Sequence, residues 1–376
     1  GRDRKSTGVY DDVFVKAVVI RDEADALAIV VVDCIGLLHD DVLRIRQRVQ
    51  ERLGAGRLDP ERVIVTSTHT HAGPDVAGLW GSHIFSSGRD DDYISNLVNV
   101  AAEQIAEAYA AAVPVEMNVG SALLKLSWVK NLSEPGLLDH GVTAIQLIDE
   151  AGRSVATLTN FPCHPTVLDG DNHLVSADYV GGFYQAMDQQ FGGVNVFLQG
   201  AIGGWVQPEQ GDRSIGLARD YGELLALVSA RVLEDAERLV APTIDFAART
   251  FDIPLENWGF RLLMFVGVLE RETHAGSMRT ETAWFSIGGV QFATHPGETS
   301  PAYSLATREL MGNPRHSMIL GLGLDALGYM LRPVFFERPE DFPHADYLTT
   351  VSVGPQAAPR LMAALAEIIP APDETQ

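Results

Sequence analysis

Residues 62–80 read RVIVTSTHTHAGPDVAGLW, an apolar, β-branched run that ends in two histidines one residue apart and breaks on Gly73-Pro74. The run predicts a buried strand over Val63 to Thr66, and the Gly-Pro pair predicts a loop just after it. Side chains at i and i+2 of an extended segment point to the same side, so His69 and His71 are expected to face one site. Loops carried at strand ends are where functional groups concentrate. Two such imidazoles offer a metal site or an acid/base site. The ordinary alternative is a strand-end histidine bonded to a neighbouring carbonyl, so further ligands have to come from elsewhere in the chain.

Outward from this stretch, strand-like and helix-like segments alternate. Phe14 to Ile20 and Leu27 to Val32 are β-branched runs, and Asp41 to Leu53 then sets Val42, Ile45, Val49 and Leu53 at helical spacing before Gly54. Asp91 to Ala112 predicts a long helix closed by Pro114. Val115 to Leu126, Gly141 to Ile148 and Ser154 to Phe161 predict strands, as does Val194 to Leu198 ahead of the glycine-rich QGAIGG. Ala218 to Val240 predicts an amphipathic helix with Leu224, Leu225, Val228, Val232, Ala236 and Leu239 on its buried side. Ile244 to Ile253, Thr280 to Ile287 and Val290 to Thr294 predict strands, and Ser300 to Leu310 a helix. No repeat, low-complexity tract or linker interrupts the pattern. The fold class is α/β, with mixed β-sheets flanked by helices.

Composition narrows the function. The chain has 376 residues, 46% of them hydrophobic, enough for one large α/β domain or for two smaller ones. A formal charge of −22 repels nucleic acid and anionic membrane surfaces and argues against both as partners. Surface acidity also occurs in salt-adapted proteins. Cys34 and Cys163 are the two cysteines, in no CxxC or zinc-finger spacing; a single bridge between them stays open. No apolar run reaches the length of a transmembrane segment, and GRDRKSTGVYDD at the start carries no signal-peptide core.

Three further segments carry chemistry. NFPCHPT (160–166) places His164 between two prolines after a strand. THPGET (294–299) places Glu298 just past a strand and at the start of a helix, where carboxylates also serve as caps. GLDALGYMLRP (323–333) places Tyr329 after a glycine, in a setting where tyrosines normally pack with a wet hydroxyl. Each alone is unremarkable.

In series, THTHAGP, a His-Pro after a strand, PGE followed by Thr, and GY ahead of a Tyr in a Ser/Thr-rich loop resemble the neutral (non-lysosomal) ceramidase family. The resemblance runs over essentially the whole chain as a single large catalytic domain, 1–376. It implies that the family's first strand lies upstream of Gly1 and that the C-terminal immunoglobulin-like domain of long members is absent. It further implies a Zn2+ centre held by His69, His164, Glu298 and Tyr329, a donor set suited to zinc. His71 is then the proton shuttle, acting first as base and then as acid, and Tyr347, in ADYLTT, the donor to the substrate carbonyl. The implied reaction is cleavage of the amide bond of a small-molecule or lipid-like N-acyl substrate, in a secreted or periplasmic setting. Oligomeric state is not legible.

Two departures from the family pattern bear on substrate. The segment NxGDVSPN, with its essential serine, aligns with Gly200 to Pro208, which reads GAIGGWVQP; Gln207 stands nearest the serine. The Asn-Arg-Ser element reads Asn131-Leu132-Ser133, without the arginine. Zinc can activate water without a serine, so an altered substrate wall around a retained metal centre is expected. Gly203, Gly204, Trp205, Gln207 and Leu132 are the expected substrate-binding residues. A zinc-dependent esterase or lactonase, and a non-catalytic zinc- or lipid-binding homologue, are the alternatives.

Overall fold

The computed structural model describes residues 5–240 and 242–371. Among them three larger sheets share one core. The first is three-stranded: Ala26–Val32 lies between antiparallel Val15–Arg21 and parallel Val63–Ser67. All seven residues of Ala26–Val32 are buried, as expected of a central strand covered on both faces. The second has five strands in the order Val194–Gln199, Ser154–Phe161, Gly141–Asp149, Val115–Leu123, Glu237–Leu239. The third runs Ile244–Pro254, Ser277–Ile287, Val290–His295, Ser317–Gly321. A single apolar cluster takes side chains from all three, from Val30 and Ile64 through Leu158 and Val196 to Phe285 and Met318.

The helices are α1 (His39–Leu53), α2 (Asp91–Ala110), α3 (Tyr179–Gln190), α4 (Ile215–Glu234), α5 (Trp258–Phe265), α6 (Pro301–Leu310), α7 (Val334–Glu337), α8 (Ala345–Thr350) and α9 (Ala357–Ile368). α1 and α2 bury Ile45, Val49, Ile94 and Ile105 against the first sheet's side of the core. α3 and α4 pack on each other, and Gly222 makes this possible. A Cβ there would stand 2.3 Å from the Tyr179 carbonyl oxygen and 2.4 Å from the Phe183 nitrogen.

Most of the expected strands and helices occur where the periodicity places them, with ends shifted by a few residues. One differs in kind. The helix expected over Ala218 to Val240 starts earlier, capped by the Ser214 hydroxyl on the Leu217 N–H, and stops at Glu234. Glu237–Leu239 is a strand instead, antiparallel to Val115–Leu123, so Ala236 and Leu239 lie outside the helix. Leu224 faces solvent. Leu225 and Val232 are buried as expected.

Parallel pairing sets up the site. Ala26–Val32 with Val63–Ser67, Ser154–Phe161 with Val194–Gln199, and Val290–His295 with Ser317–Gly321 are parallel pairs. Their C-terminal ends are stitched together. Gln199 Nε2 donates to the carbonyls of Thr68 and Cys163, both at 2.9 Å. Thr66 Oγ1 donates to the Gly321 carbonyl at 2.9 Å. Asn160 Nδ2 reaches the Ile319 carbonyl at 3.0 Å. Loops leaving carboxyl ends of strands are the usual location of α/β sites, and here these ends meet at one place.

Candidate active site

The strand that opens the decisive stretch stops at Ser67. Thr68 still donates to the Val32 carbonyl and His69 to the Cys34 carbonyl, but His69 has φ +69°, a left-handed conformation uncommon outside glycine. Simple alternation along an extended chain is therefore not what brings the two histidines together. They converge all the same: His69 Nε2 and His71 Nε2 are 3.2 Å apart.

His69 Nδ1 lies 2.5 Å from the Ile35 carbonyl oxygen and His164 Nδ1 lies 2.7 Å from that of Val206. A carbonyl can only accept, so both rings carry a proton on Nδ1, and in the neutral ring Nε2 is then a bare lone pair. Both Nε2 atoms face Glu298 Oε2, at 3.5 Å from His69 and 3.0 Å from His164. Lone pairs aimed at a carboxylate repel it unless a proton or a cation stands between. This is the arrangement by which carbonyl partners orient metal-binding imidazoles. His69, His71 and His164 also form a group whose ligand atoms all lie within 4.8 Å of one another.

Glu298 is delivered by the short strand Glu298–Thr299, parallel to Tyr329–Met330. Its N–H donates to the Gly328 carbonyl at 2.9 Å. Burial alone would raise its pKa, but positive charge at the His69 and His164 rings outweighs burial and holds the carboxyl well below its usual range. Tyr329, almost fully buried, has its phenol beside Glu298; burial first and that negative charge second push it well above 10. His71 keeps an exposed face while its Nε2 turns inward. Enclosure of the ring, then the neighbouring His69 and His164, hold its pKa well below the usual histidine value.

The structure thus brings His69, His71, His164, Glu298 and Tyr329 to one point. Tyr347 stands further out, on α8, half exposed and with its ring 6.5 Å from that of Tyr329. Trp205 stacks on Tyr347 at 5.4 Å and 20°, and meets the His344 ring edge-on at 4.9 Å. Gly203 lies against the backbone of Glu298: a Cβ would come within 2.3 Å of that carbonyl oxygen. Leu132 and Gln207 belong to the backbone ladder beneath Trp205, through Leu132 N–H to the Trp205 carbonyl and the Gln207–Lys130 pair, and Ser133 N–H reaches Gly204 in the same way.

The cavity that opens on the histidines has other walls. About 120 Å³ in volume, it is bounded by His69, His71, Glu298, Tyr329 and Tyr347 at its polar end. Ile35, Leu38, Leu79, Phe260, Met264 and Leu327 supply its apolar sides. Arg271 also lines it, its charge held by the buried Asp325. Leu132, Gly203, Gly204, Trp205 and Gln207 are not among the wall residues; Trp205 meets the wall through Tyr347 and Gly203 through the Glu298 backbone. Sequence reasoning missed the walls because they come from α5 and from loops that carry no motif. It also missed Gln199 and Asn160, whose side-chain amides hold the strand ends together. Cys34 and Cys163 are free and buried, in separate loops.

The sequence profile of the neutral/alkaline non-lysosomal ceramidase family, N-terminal part, matches residues 2–221. The neutral ceramidase of Pseudomonas aeruginosa is 25% identical over 193 residues, which is 48% of this chain and 29% of that protein. The neutral ceramidase of Mycobacterium tuberculosis is 24% identical over 236 residues, 56% of this chain and 36% of the other. The chain therefore matches about a third of the length of these curated relatives. The crystal structure of the Pseudomonas aeruginosa enzyme superposes with a TM-score of 0.79 at 16% identity, over 98% of this chain and 70% of that one. A structure titled as a ceramidase complexed with C2 gives 0.76 at 15% identity, over 98% and 71%. These likenesses establish the same fold. With more than half of its length matched by the family profile, the chain belongs to the neutral/alkaline non-lysosomal ceramidase family.

Proposed function

We propose that the protein hydrolyses the amide bond of an N-acyl amphiphile at a zinc centre held by His69, His164, Glu298 and Tyr329. The observation that carries this reading is the pair of Nδ1 bonds to the Ile35 and Val206 carbonyls, which turns two imidazole lone pairs toward one carboxylate. Nitrogen and oxygen donors in this number suit zinc. When bound, zinc would supply Lewis acidity toward a carbonyl oxygen and lower the pKa of water.

The chain's own residues divide the remaining work. His71, neutral at pH 7 because its pKa is depressed, takes the proton of the attacking water on Nε2 and returns it to the departing amine. Tyr347, whose pKa is raised by burial and by Glu298, keeps its proton and donates a hydrogen bond to the carbonyl oxygen. The apolar cavity walls seat the acyl group and exclude water from it. Trp205 holds the Tyr347 ring by stacking. The missing serine and arginine make a substrate other than ceramide itself compatible with the same chemistry. A secreted or periplasmic setting is carried over from the family likeness. No helix among the described residues is long and apolar enough to cross a membrane.

The test is elemental analysis of the purified protein followed by a panel of N-acyl amides, ceramides and matched esters. Stoichiometric zinc with amide turnover is the expected result. Absence of zinc binding defeats the metal assignment, and turnover of esters alone replaces the amidase reading with that of an esterase.

A further inference from the structure

Apolar side chains that face water lie beside the cavity, on α5, α8 and the loop 78–88. α5 reads WGFRLLMF and has no fully buried residue. Phe260 and Met264 turn into the cavity, whereas Trp258 and Phe265 are 76% and 88% exposed and Leu262 is 39% exposed. Asn257 caps this helix and donates through Nδ2 to the Thr350 carbonyl at 2.8 Å, which ties it to the end of α8 and its exposed Tyr347. On the far side the loop 78–88 adjoins the segment that follows α5: a Cβ on Gly78 would lie 2.5 Å from the Val268 carbonyl oxygen. That loop presents Trp80, a cavity residue, and Phe85, which is more than half exposed.

Scattered exposed apolar residues are normal on a soluble protein, but a contiguous group around an opening marks a binding surface. A second protein chain is a poor occupant. α5 is about 12 Å long, short for the main element of a stable protein interface, which buries ~800 Å² per partner. A lipid surface fits better. Trp and Tyr, with an apolar ring and one polar tip, are the residues that settle at the bilayer interface, and a short apolar helix face can enter the headgroup region. With a net charge of −22, Coulomb attraction to anionic lipid is unavailable, so insertion has to be apolar and the surface neutral overall.

We propose that Trp258, Leu262 and Phe265 of α5, with Trp80 and Phe85, form a docking surface for a zwitterionic lipid bilayer, placing the cavity mouth at the headgroup level. The position of the patch makes sense on the reading of the cavity as an acyl-group site, and it would let an amphiphile pass from lipid to the histidines without crossing water.

The experiment is flotation of the wild-type chain with phosphatidylcholine vesicles that contain no amide lipid, beside Trp258→Ser/Phe265→Ser. Wild type partitions to the vesicles, equally at low and high salt and less onto phosphatidylserine vesicles. The double variant partitions at least about tenfold less and turns over a freely soluble short-chain amide as wild type does. The proposal is overturned if wild type does not float or if the variant floats equally. It is also overturned if wild type is a dimer that the two substitutions dissociate. Because flotation needs no turnover, failure of the amidase reading leaves this outcome separately readable.

Discussion

His69 Nε2 and His71 Nε2 stand 3.2 Å apart, and the His69 ring has no proton to give there because Nδ1 holds it against the Ile35 carbonyl. Two arrangements satisfy that geometry. His71 donates a hydrogen bond into the lone pair, or both nitrogens face a shared cation. The proposed function commits the His69 lone pair to zinc, which leaves the His71 Nε2 lone pair free to act as the acid/base group.

Substitution separates the two roles. His69→Ala and His164→Ala each remove a proposed ligand and should weaken zinc binding by more than about 100-fold, since even outer-shell partners cost 10- to 100-fold. His71→Ala should keep stoichiometric zinc while kcat falls about 10²- to 10⁴-fold, the usual worth of a general base. Competition with a chromophoric chelator measures the metal. Loss of zinc from His71→Ala would move that residue into the ligand set and leave the base unassigned.

These residues were legible in the chain because each sits at a strand end beside Pro or Gly, in a motif whose order repeats that of a family. Strands such as Ala26–Val32 were legible because β-branched runs bounded by turns have few other uses. The cavity was not legible, since its walls come from segments as distant as Ile35, Leu79, Phe260 and Leu327, which only the tertiary fold gathers. α3 was hidden by its own sequence. YVGGFYQAMDQQ contains adjacent glycines that lower helix propensity, and Gly182 is needed where a Cβ would lie 2.9 Å from Arg219 Cα of α4. Gln199 carries no local signal at all, because its four hydrogen bonds go to residues remote in sequence or to its own neighbour.

Tyr347 offers a way to divide hydroxyl from ring. Tyr347→Phe keeps the stack on Trp205 and removes the donor, so kcat should fall about 10²- to 10³-fold, as for loss of an oxyanion donor, with little change in thermal stability. Trp205→Ala leaves the phenol but frees its ring, and a smaller loss in kcat is expected. If Tyr347→Phe is as active as wild type, another group polarises the carbonyl.

The α3–α4 contact should be intolerant of a single methyl. Gly222→Ala would press its Cβ into the backbone of Tyr179 and Phe183, atoms that cannot rotate away. Forced overpacking costs about 1–3 kcal/mol, and the upper end is expected here despite the better helix propensity of alanine. Because the Tyr179 hydroxyl donates to the Cys163 carbonyl at 2.6 Å, one residue from His164, the strain should also weaken zinc binding. Urea unfolding of the two proteins checks the first effect, and a variant as stable as wild type would mean that the helices separate freely.

Asp33 should make part of the stability depend on pH in an unusual sense. It is buried, with Oδ2 accepting the Phe14 N–H at 2.9 Å and Oδ1 accepting the Tyr184 hydroxyl at 3.3 Å. Burial raises its pKa from 3.8 to about 6 against the opposing pull of the Phe14 N–H and Lys16. Between those values the folded chain binds a proton that the unfolded chain has released. Stability from this group is therefore full below 3.8 and is lost as pH rises through about 6. A shift of about two pKa units corresponds to ~3 kcal/mol as an upper bound. Asp33→Asn has the same shape and no titration. Measured by urea unfolding, the variant should gain about 2–3 kcal/mol relative to wild type between pH of about 4 and about 7.5. A stability difference that stays constant over that interval would mean that Asp33 ionises in the fold as freely as it does in the unfolded chain.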